Sequence, residues 1–138
     1  MAAFSPPRLL ILLTGFATAI MIVVGGPDVT TIHLLCNPHG RSVPFLDRFP
    51  SIVIHDLIEG TPDAPEHKLY MKEESSYYYG TLYGRAKCSA ALNRDECLLC
   101  LEDAAGNIEA TCGLFRRGAR IELRDCYMRY EEYPFPPM

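Results

Sequence analysis

Six cysteines in a chain of 138 residues constrain the fold of this protein more than any other feature of its sequence. They are Cys36, Cys88, Cys97, Cys100, Cys112 and Cys126, and the second, third and fourth form the compact pattern C-x8-C-x2-C. An even number of cysteines in a short secreted chain is typical of a disulfide framework. Six cysteines allow fifteen pairings, and their spacing alone does not choose among them.

The first 26 residues have the order of a signal peptide. A single basic residue, Arg8, precedes an apolar run from Leu9 to Val24, and the small residues Gly25 and Gly26 follow. A membrane anchor is the alternative, but polar and small residues interrupt the run, which falls short of the roughly 20 apolar residues that span a bilayer. We therefore predict a signal peptide over 1–26, a secreted, extracellular chain and no stable membrane insertion.

The remaining residues are enough for one domain, predicted over 27–133, with a core small enough for cross-links to matter. The whole chain carries a formal net charge of −4, and loss of Arg8 with the leader makes the mature part slightly more acidic. Nucleic-acid binding needs a clustered basic surface, so this balance argues against it. A local basic patch is interpreted as a solvated loop and strand face; it comprises Arg116, Arg117, Arg120 and Arg124.

The pair Cys97 and Cys100 admits two other interpretations. A C-x2-C pair at the start of a helix is typical of redox proteins, and the same pair with Cys112 or Cys126 is a possible zinc site. The remaining cysteines are single, however, and the four histidines lack zinc-ligand spacing. We therefore favour disulfides and predict no metal site and no cofactor. No catalytic motif is present either, so we predict that the protein is not an enzyme.

Hydrophobic patterning predicts the order strand, helix, two strands, helix, two strands. The strands are predicted over 29–35, 68–71, 77–86, 118–123 and 126–130. Apolar residues from 45 to 57 recur at helical spacing, and Pro50 means that this helix is kinked or begins again there. The second helix is predicted from a capping box at Asn93 and Glu96 to Cys112.

This order predicts an α+β fold in which both helices pack on one face of an antiparallel sheet. Residues 134–138 are rich in proline, and we expect them to form a flexible tail.

Four segments resemble the plant salt stress response/antifungal domain, also called the ginkbilobin-like domain. They are Tyr83–Cys88, the C-x8-C-x2-C block, Gly118–Ile121 and Asp125–Tyr130. The resemblance covers roughly the whole chain after the leader and is firmest from 83 to 131. It implies the same α+β architecture and three disulfides, which join Cys36 to Cys112, Cys88 to Cys97, and Cys100 to Cys126.

The resemblance also implies a mannose-binding site made by Asn37, Arg120 and Glu131. An arginine fork donates to neighbouring hydroxyls, a carboxylate accepts from them, and an amide does either. The expected function is that of a secreted, lectin-like antifungal protein that binds fungal cell-wall mannan. Two alternatives stay open. The three residues form a cross-strand Arg120–Glu131 ion pair and a strand-ending asparagine, or the chain is a secreted interaction module that binds a protein partner and no sugar.

Overall fold

The computed structural model of the chain describes residues 25–38, 49–75, 80–113 and 117–136. All of the predicted leader except its last two residues lies outside these ranges, and so do the start of the first predicted helix and residues 77–79 of the third predicted strand. Within these ranges, no helix combines the length and the apolar character that a membrane span requires.

The observed elements confirm the predicted α+β order. The strands are β1 (Thr31–Cys36), β2 (Lys68–Ser75), β3 (Gly80–Cys88), β4 (Ala119–Leu123) and β5 (Cys126–Glu131). The helices are α1 (Phe49–Gly60) and α2 (Arg94–Cys112). Two short 3-10 turns, Thr61–Asp63 and Pro65–His67, connect α1 to β2.

The five strands form one antiparallel sheet in the order β1-β4-β5-β3-β2, so β1 and β2 are its edges. Side chains alternate across it because successive residues of a strand point to opposite faces. In β4, Ala119 and Ile121 are buried toward the helices, whereas Arg120 and Glu122 point away from them. We call the face of the sheet opposite the helices the open face.

The core lies between the two helices and the sheet. Its fully buried members include Val53, Leu57, Leu101, Ala104, Ile108, Ile121, Met128 and Tyr130. Helix α1 packs tightly on β3 at Gly84, where a Cβ atom would lie 2.8 Å from Val53 Cγ1 and 3.1 Å from Leu57 Cδ1. A larger residue there would push α1 off the sheet, so this glycine sets the distance between the two layers.

Both helix starts follow from local sequence. In the described range α1 begins at Phe49, so Pro50 lies in its first turn, where a missing N–H removes no intrahelical hydrogen bond. Helix α2 begins with the predicted capping box. The Asn93 side chain accepts from the Glu96 backbone N–H at 2.8 Å, and the Glu96 carboxylate accepts from the Asn93 N–H at 3.2 Å.

Strand β2 is longer than the sequence predicted. We expected it to end at Met71, before a charged linker, but it continues to Ser75 in register with β3. The prediction was wrong because β2 is an edge strand, where charged side chains are tolerated and discourage pairing with another chain. Lys72 and Glu74 both point outward and form an ion pair at 2.5 Å.

All six cysteines are paired, in the arrangement that the resemblance implied. The disulfide Cys36–Cys112 joins the end of β1 to the end of α2 across 76 residues, Cys100–Cys126 joins α2 to β5 across 26, and Cys88–Cys97 joins β3 to α2 across 9. Every disulfide therefore has one partner in α2, and this helix is fastened to three strands.

The three disulfides should stabilise the fold unequally. In the chain-entropy model the stabilisation grows with the closed loop, to about 4.5 kcal/mol for Cys36–Cys112 and about 2.7 kcal/mol for Cys88–Cys97. We therefore expect the double variant Cys36→Ala/Cys112→Ala to lose about 2 kcal/mol more free energy of unfolding than Cys88→Ala/Cys97→Ala. Guanidinium denaturation of the two oxidised variants tests this difference, and an equal or reversed loss would contradict it.

Candidate functional site

The three residues of the implied sugar site lie at one end of three adjacent strands. Asn37 directly follows β1, and its backbone N–H donates to the Gly118 carbonyl oxygen at 2.8 Å. Gly118 directly precedes β4, and Arg120 is the second residue of that strand. Glu131 is the last residue of β5, the other neighbour of β4 in the sheet. Antiparallel pairing thus brings Asn37, Arg120 and Glu131 to the same end of these three strands.

Glu131 points to the open face, but only 6% of its surface is exposed. One carboxylate oxygen, Oε1, lies 3.5 Å from Arg129 Nε, while Oε2 is buried and has no hydrogen-bond partner among the described residues. A Cβ atom on Gly118 would lie only 1.9 Å from Oε2. The carboxylate therefore packs directly over the Gly118 backbone, in space that exists only because residue 118 has no side chain.

Glu131 does not pair with Arg120. Its ion pair is with Arg129, and Arg129 is also the residue directly opposite Arg120 in the β4–β5 pairing. The alternative in which Arg120 and Glu131 form a cross-strand ion pair is thus wrong, because the register places two arginines opposite each other. In the described part of the chain, the half-buried Arg120 side chain forms no hydrogen bond or ion pair.

Arg129 is held by the C-terminal segment as well as by Glu131. Its guanidinium carbon lies 4.3 Å from the centroid of the Phe135 ring, and its Nη2 donates to the Tyr133 hydroxyl at 3.1 Å. Burial by itself lowers the pKa of Arg129, but the hydrogen bond to Tyr133 and the nearby Tyr127 and Glu131 outweigh that effect and raise the pKa. Arg129 is therefore a fixed cation.

Arg129 and the segment that covers it were not among the residues predicted for the site. Arg129 lies two residues before Glu131, and the period of two in a strand was the signal that both face the same side. Phe135 is 5% exposed, and the Pro136 carbonyl accepts a hydrogen bond from Arg85 Nη1, so residues 135 and 136 lie on the open face. The flexible tail over 134–138 stays a prediction, and its last two residues lie outside the described part.

The described ranges contain no group of three or more histidine, cysteine, aspartate or glutamate side chains that could hold a metal ion. The six cysteine sulfurs are all engaged in disulfides.

Residues 49–133 match the family model described as salt stress response/antifungal. The chain belongs to this family. Two of its relatives are antifungal proteins named ginkbilobin-like protein 1. The one from Picea glauca is 38% identical over 128 residues, which are 85% of this chain and 86% of the relative. The one from Picea sitchensis is 28% identical over 130 residues, which are 86% of this chain and 94% of the relative.

A solved structure of the family has the same fold. The tandem DUF26 ectodomain of the Arabidopsis thaliana cysteine-rich receptor-like protein PDLP5 is similar to this chain with a TM-score of 0.59 and 26% sequence identity. The similarity covers 78% of this chain and 46% of the ectodomain, so the chain spans about half of that structure.

A substitution at Gly118 tests the packing of the carboxylate. The Cβ of Gly118→Ala would collide with Glu131 Oε2, and Glu131 can move away only by leaving Arg129. We expect a loss of about 1 to 3 kcal/mol in the free energy of unfolding, the usual cost of overpacking. Urea denaturation measures it.

Gly106→Ala is the matched control. Gly106 lies exposed in the middle of α2, and a Cβ there meets no atom within 4 Å. Alanine in a helix interior stabilises by roughly 0.5 to 1 kcal/mol relative to glycine, so we expect a gain. Unchanged stability of Gly118→Ala beside a stabilised Gly106→Ala would show that Glu131 is not held over residue 118.

Proposed function

We propose that this protein is a secreted, lectin-like antifungal protein that binds mannose units of fungal cell-wall mannan through Asn37, Arg120 and Glu131. The observation that supports the proposal most is the position of these three residues at one end of three adjacent strands, together with an Arg120 guanidinium that has no protein acceptor in the described part of the chain. A half-buried arginine without an acceptor among the described residues is suited to an external one.

Each residue has a distinct part in the proposed recognition. Arg120 donates to two neighbouring sugar oxygens through its planar fork, and the Asn37 amide donates or accepts at a third. Glu131 exposes little surface, so we expect it to accept a single hydroxyl. Arg129 does not contact the sugar in this proposal; it positions the Glu131 carboxylate through Oε1.

Such a site binds a monosaccharide weakly. A hydrogen bond to a ligand contributes roughly 0.5 to 1.5 kcal/mol net, so a few of them give an affinity nearer millimolar than micromolar. Mannan presents many mannose units on one polymer, and several protein molecules on one wall raise the effective affinity without new contacts. The wall polymer, and not the free sugar, is the ligand that we propose.

Three features support an extracellular antifungal role. The two spruce relatives described above are named antifungal proteins, and this chain covers most of their length. Three disulfides in a small domain are stable in an oxidising compartment. The sequence of residues 1–26 has the order of a signal peptide.

Mannan titration into single-site variants tests the proposal. We expect Asn37→Ala, Arg120→Ala and Glu131→Gln each to reduce mannan binding at least about tenfold, the effect of one lost charge-assisted or orienting hydrogen bond. Glutamine replaces Glu131 because it removes the negative charge but keeps an oxygen that can accept from Arg129 Nε, whereas alanine would remove that acceptor as well.

Arg124→Ala is the matched control. It removes the same charge at the residue that follows β4, far from the proposed site. Arg124 is exposed, its Nε lies 3.9 Å from Asp28 Oδ2, and we expect mannan binding to be unchanged. Wild-type protein that ignores mannan, or that binds it no better than Arg120→Ala, would contradict the proposed function.

A second candidate function is that of a module that binds a protein partner. It is favoured by exposed apolar residues in and before the edge strand β1, where Ile32 is 58%, Leu35 46% and Val29 38% exposed. An apolar edge strand is a ready surface for pairing with another chain. The variant Ile32→Lys distinguishes the two candidate functions. It should abolish partner binding by this edge strand and leave mannan binding intact.

A further inference from the structure

Three arginines stand side by side across the open face. Arg120 in β4 lies opposite Arg129 in β5, and Arg129 lies opposite Arg85 in β3. The same row continues to Tyr70 in β2 at one side and to Leu35 in β1 at the other. Like charges directly opposite each other in a sheet are destabilising, so such a row requires compensation.

Two of the three arginines are compensated within the protein. Arg129 has the Glu131 carboxylate and the Phe135 ring, as described above. The Arg85 guanidinium carbon lies 5.1 Å from the centroid of the Tyr127 ring and 5.4 Å from that of Phe135. Its Nη1 also donates to the Pro136 carbonyl oxygen at 2.5 Å. Aromatic faces thus stabilise both cations, and a carbonyl adds to this for Arg85. Among the described residues only Arg129 also has a carboxylate, and Arg85 Nε is buried there without a hydrogen-bond partner.

Arg120 is the exception in this row. Its in-register neighbours are Arg129 and the aliphatic Leu35, which offers no acceptor. The two carboxylates closest along the strands are Glu131, which is already paired with Arg129, and the exposed Glu122, and neither forms an ion pair with Arg120 in the described part of the chain. Among the described residues, nothing neutralises the positive charge next to the proposed sugar site.

From this surplus charge we infer that the site prefers a saccharide that carries an anionic group, a phosphate ester or a uronate carboxylate, and that Arg120 binds this group. The inference rests on the proposed sugar-binding function and makes it more specific. A planar guanidinium donates two parallel hydrogen bonds to a phosphate or a carboxylate, and such charge-assisted bonds are roughly twice as strong as neutral ones. Two neutral sugar hydroxyls can accept from the same guanidinium N–H groups, but they leave the positive charge of Arg120 uncompensated.

Ligand-observed NMR titration of the oxidised wild-type protein with mannose, mannose 6-phosphate, mannuronate and inorganic phosphate tests the inference. We expect at least one of the anionic sugars to bind about tenfold more tightly than mannose at low salt. The advantage should shrink several-fold when the salt is raised from about 20 to about 200 mM, because screening weakens exposed charge pairs and leaves neutral hydrogen bonds unchanged. The phosphate and uronate arms separate the two possible sources of the charge.

Two variants assign the effect to Arg120. Arg120→Gln should reduce the affinity for the anionic sugar to that for mannose. Lys87→Gln is the control, since it removes one positive charge from the open face at a position opposite Tyr127, outside the arginine row, and should retain the preference. A loss of preference in both variants would mean that general surface charge attracts the ligand, which would overturn the assignment to Arg120.

The outcomes separate this inference from the proposed function. If mannose and the anionic sugars bind equally, the inference is wrong and the mannose site stands. If inorganic phosphate binds as tightly as mannose 6-phosphate, the site recognises the anion without the sugar, and the inference is again wrong. If the anionic sugar binds and mannose does not, the inference is supported and the neutral-mannan proposal is contradicted. If no sugar binds, both fail.

Discussion

The contact between the buried Glu131 carboxylate and the Gly118 backbone determines how one end of the sheet is arranged. A buried carboxylate is costly unless an opposite charge and hydrogen bonds compensate it. Arg129 supplies the opposite charge, because its Nε lies 3.5 Å from Glu131 Oε1. Arg129 in turn is enclosed by Phe135 and hydrogen-bonded to Tyr133, so the segment after β5 is part of the same arrangement. The glycine before β4 therefore has a clear physical role, because any side chain there would displace the carboxylate.

The position of this end of the sheet also depends on a disulfide and a backbone hydrogen bond. Asn37 follows Cys36 directly, and the disulfide from Cys36 to Cys112 fastens the end of β1 to the end of α2. The hydrogen bond from the Asn37 N–H to the Gly118 carbonyl then sets β1 against the start of β4. A strand at the edge of a small sheet has few neighbours, so these two links do much to keep Asn37 next to the start of β4.

The local signals in the sequence were sufficient for most of the fold. The capping box at Asn93 is a short-range feature, and the structure contains it as predicted. The end of β2 was mispredicted, because a charged segment in an edge strand has the composition of a loop. The pairing of the cysteines came from resemblance, since no short-range rule links residues that are 76 positions apart.

The site was harder to predict than the fold. Its three predicted residues lie at one end of adjacent strands, but the sequence does not reveal the register of β4 against β5, and this register decides that Arg120 faces Arg129. For the same reason the alternative of an Arg120–Glu131 ion pair was open from the sequence, whereas Glu131 is buried and paired two residues back along its own strand. Charge compensation in a sheet is a property of the pairing of strands, and composition or motif spacing does not contain it.

The central proposal is that Asn37, Arg120 and Glu131 form one binding site. Its most direct test is amide chemical-shift mapping of the isotope-labelled, oxidised protein during titration with a mannose oligosaccharide. We predict saturable shifts at the amides of Asn37, Gly118, Arg120 and Glu131, with one common dissociation constant, and unchanged amides around Ile32 and along the exposed side of α2. Shifts confined to the exposed apolar residues of β1, or no saturable shifts at any ligand concentration, would contradict the claim.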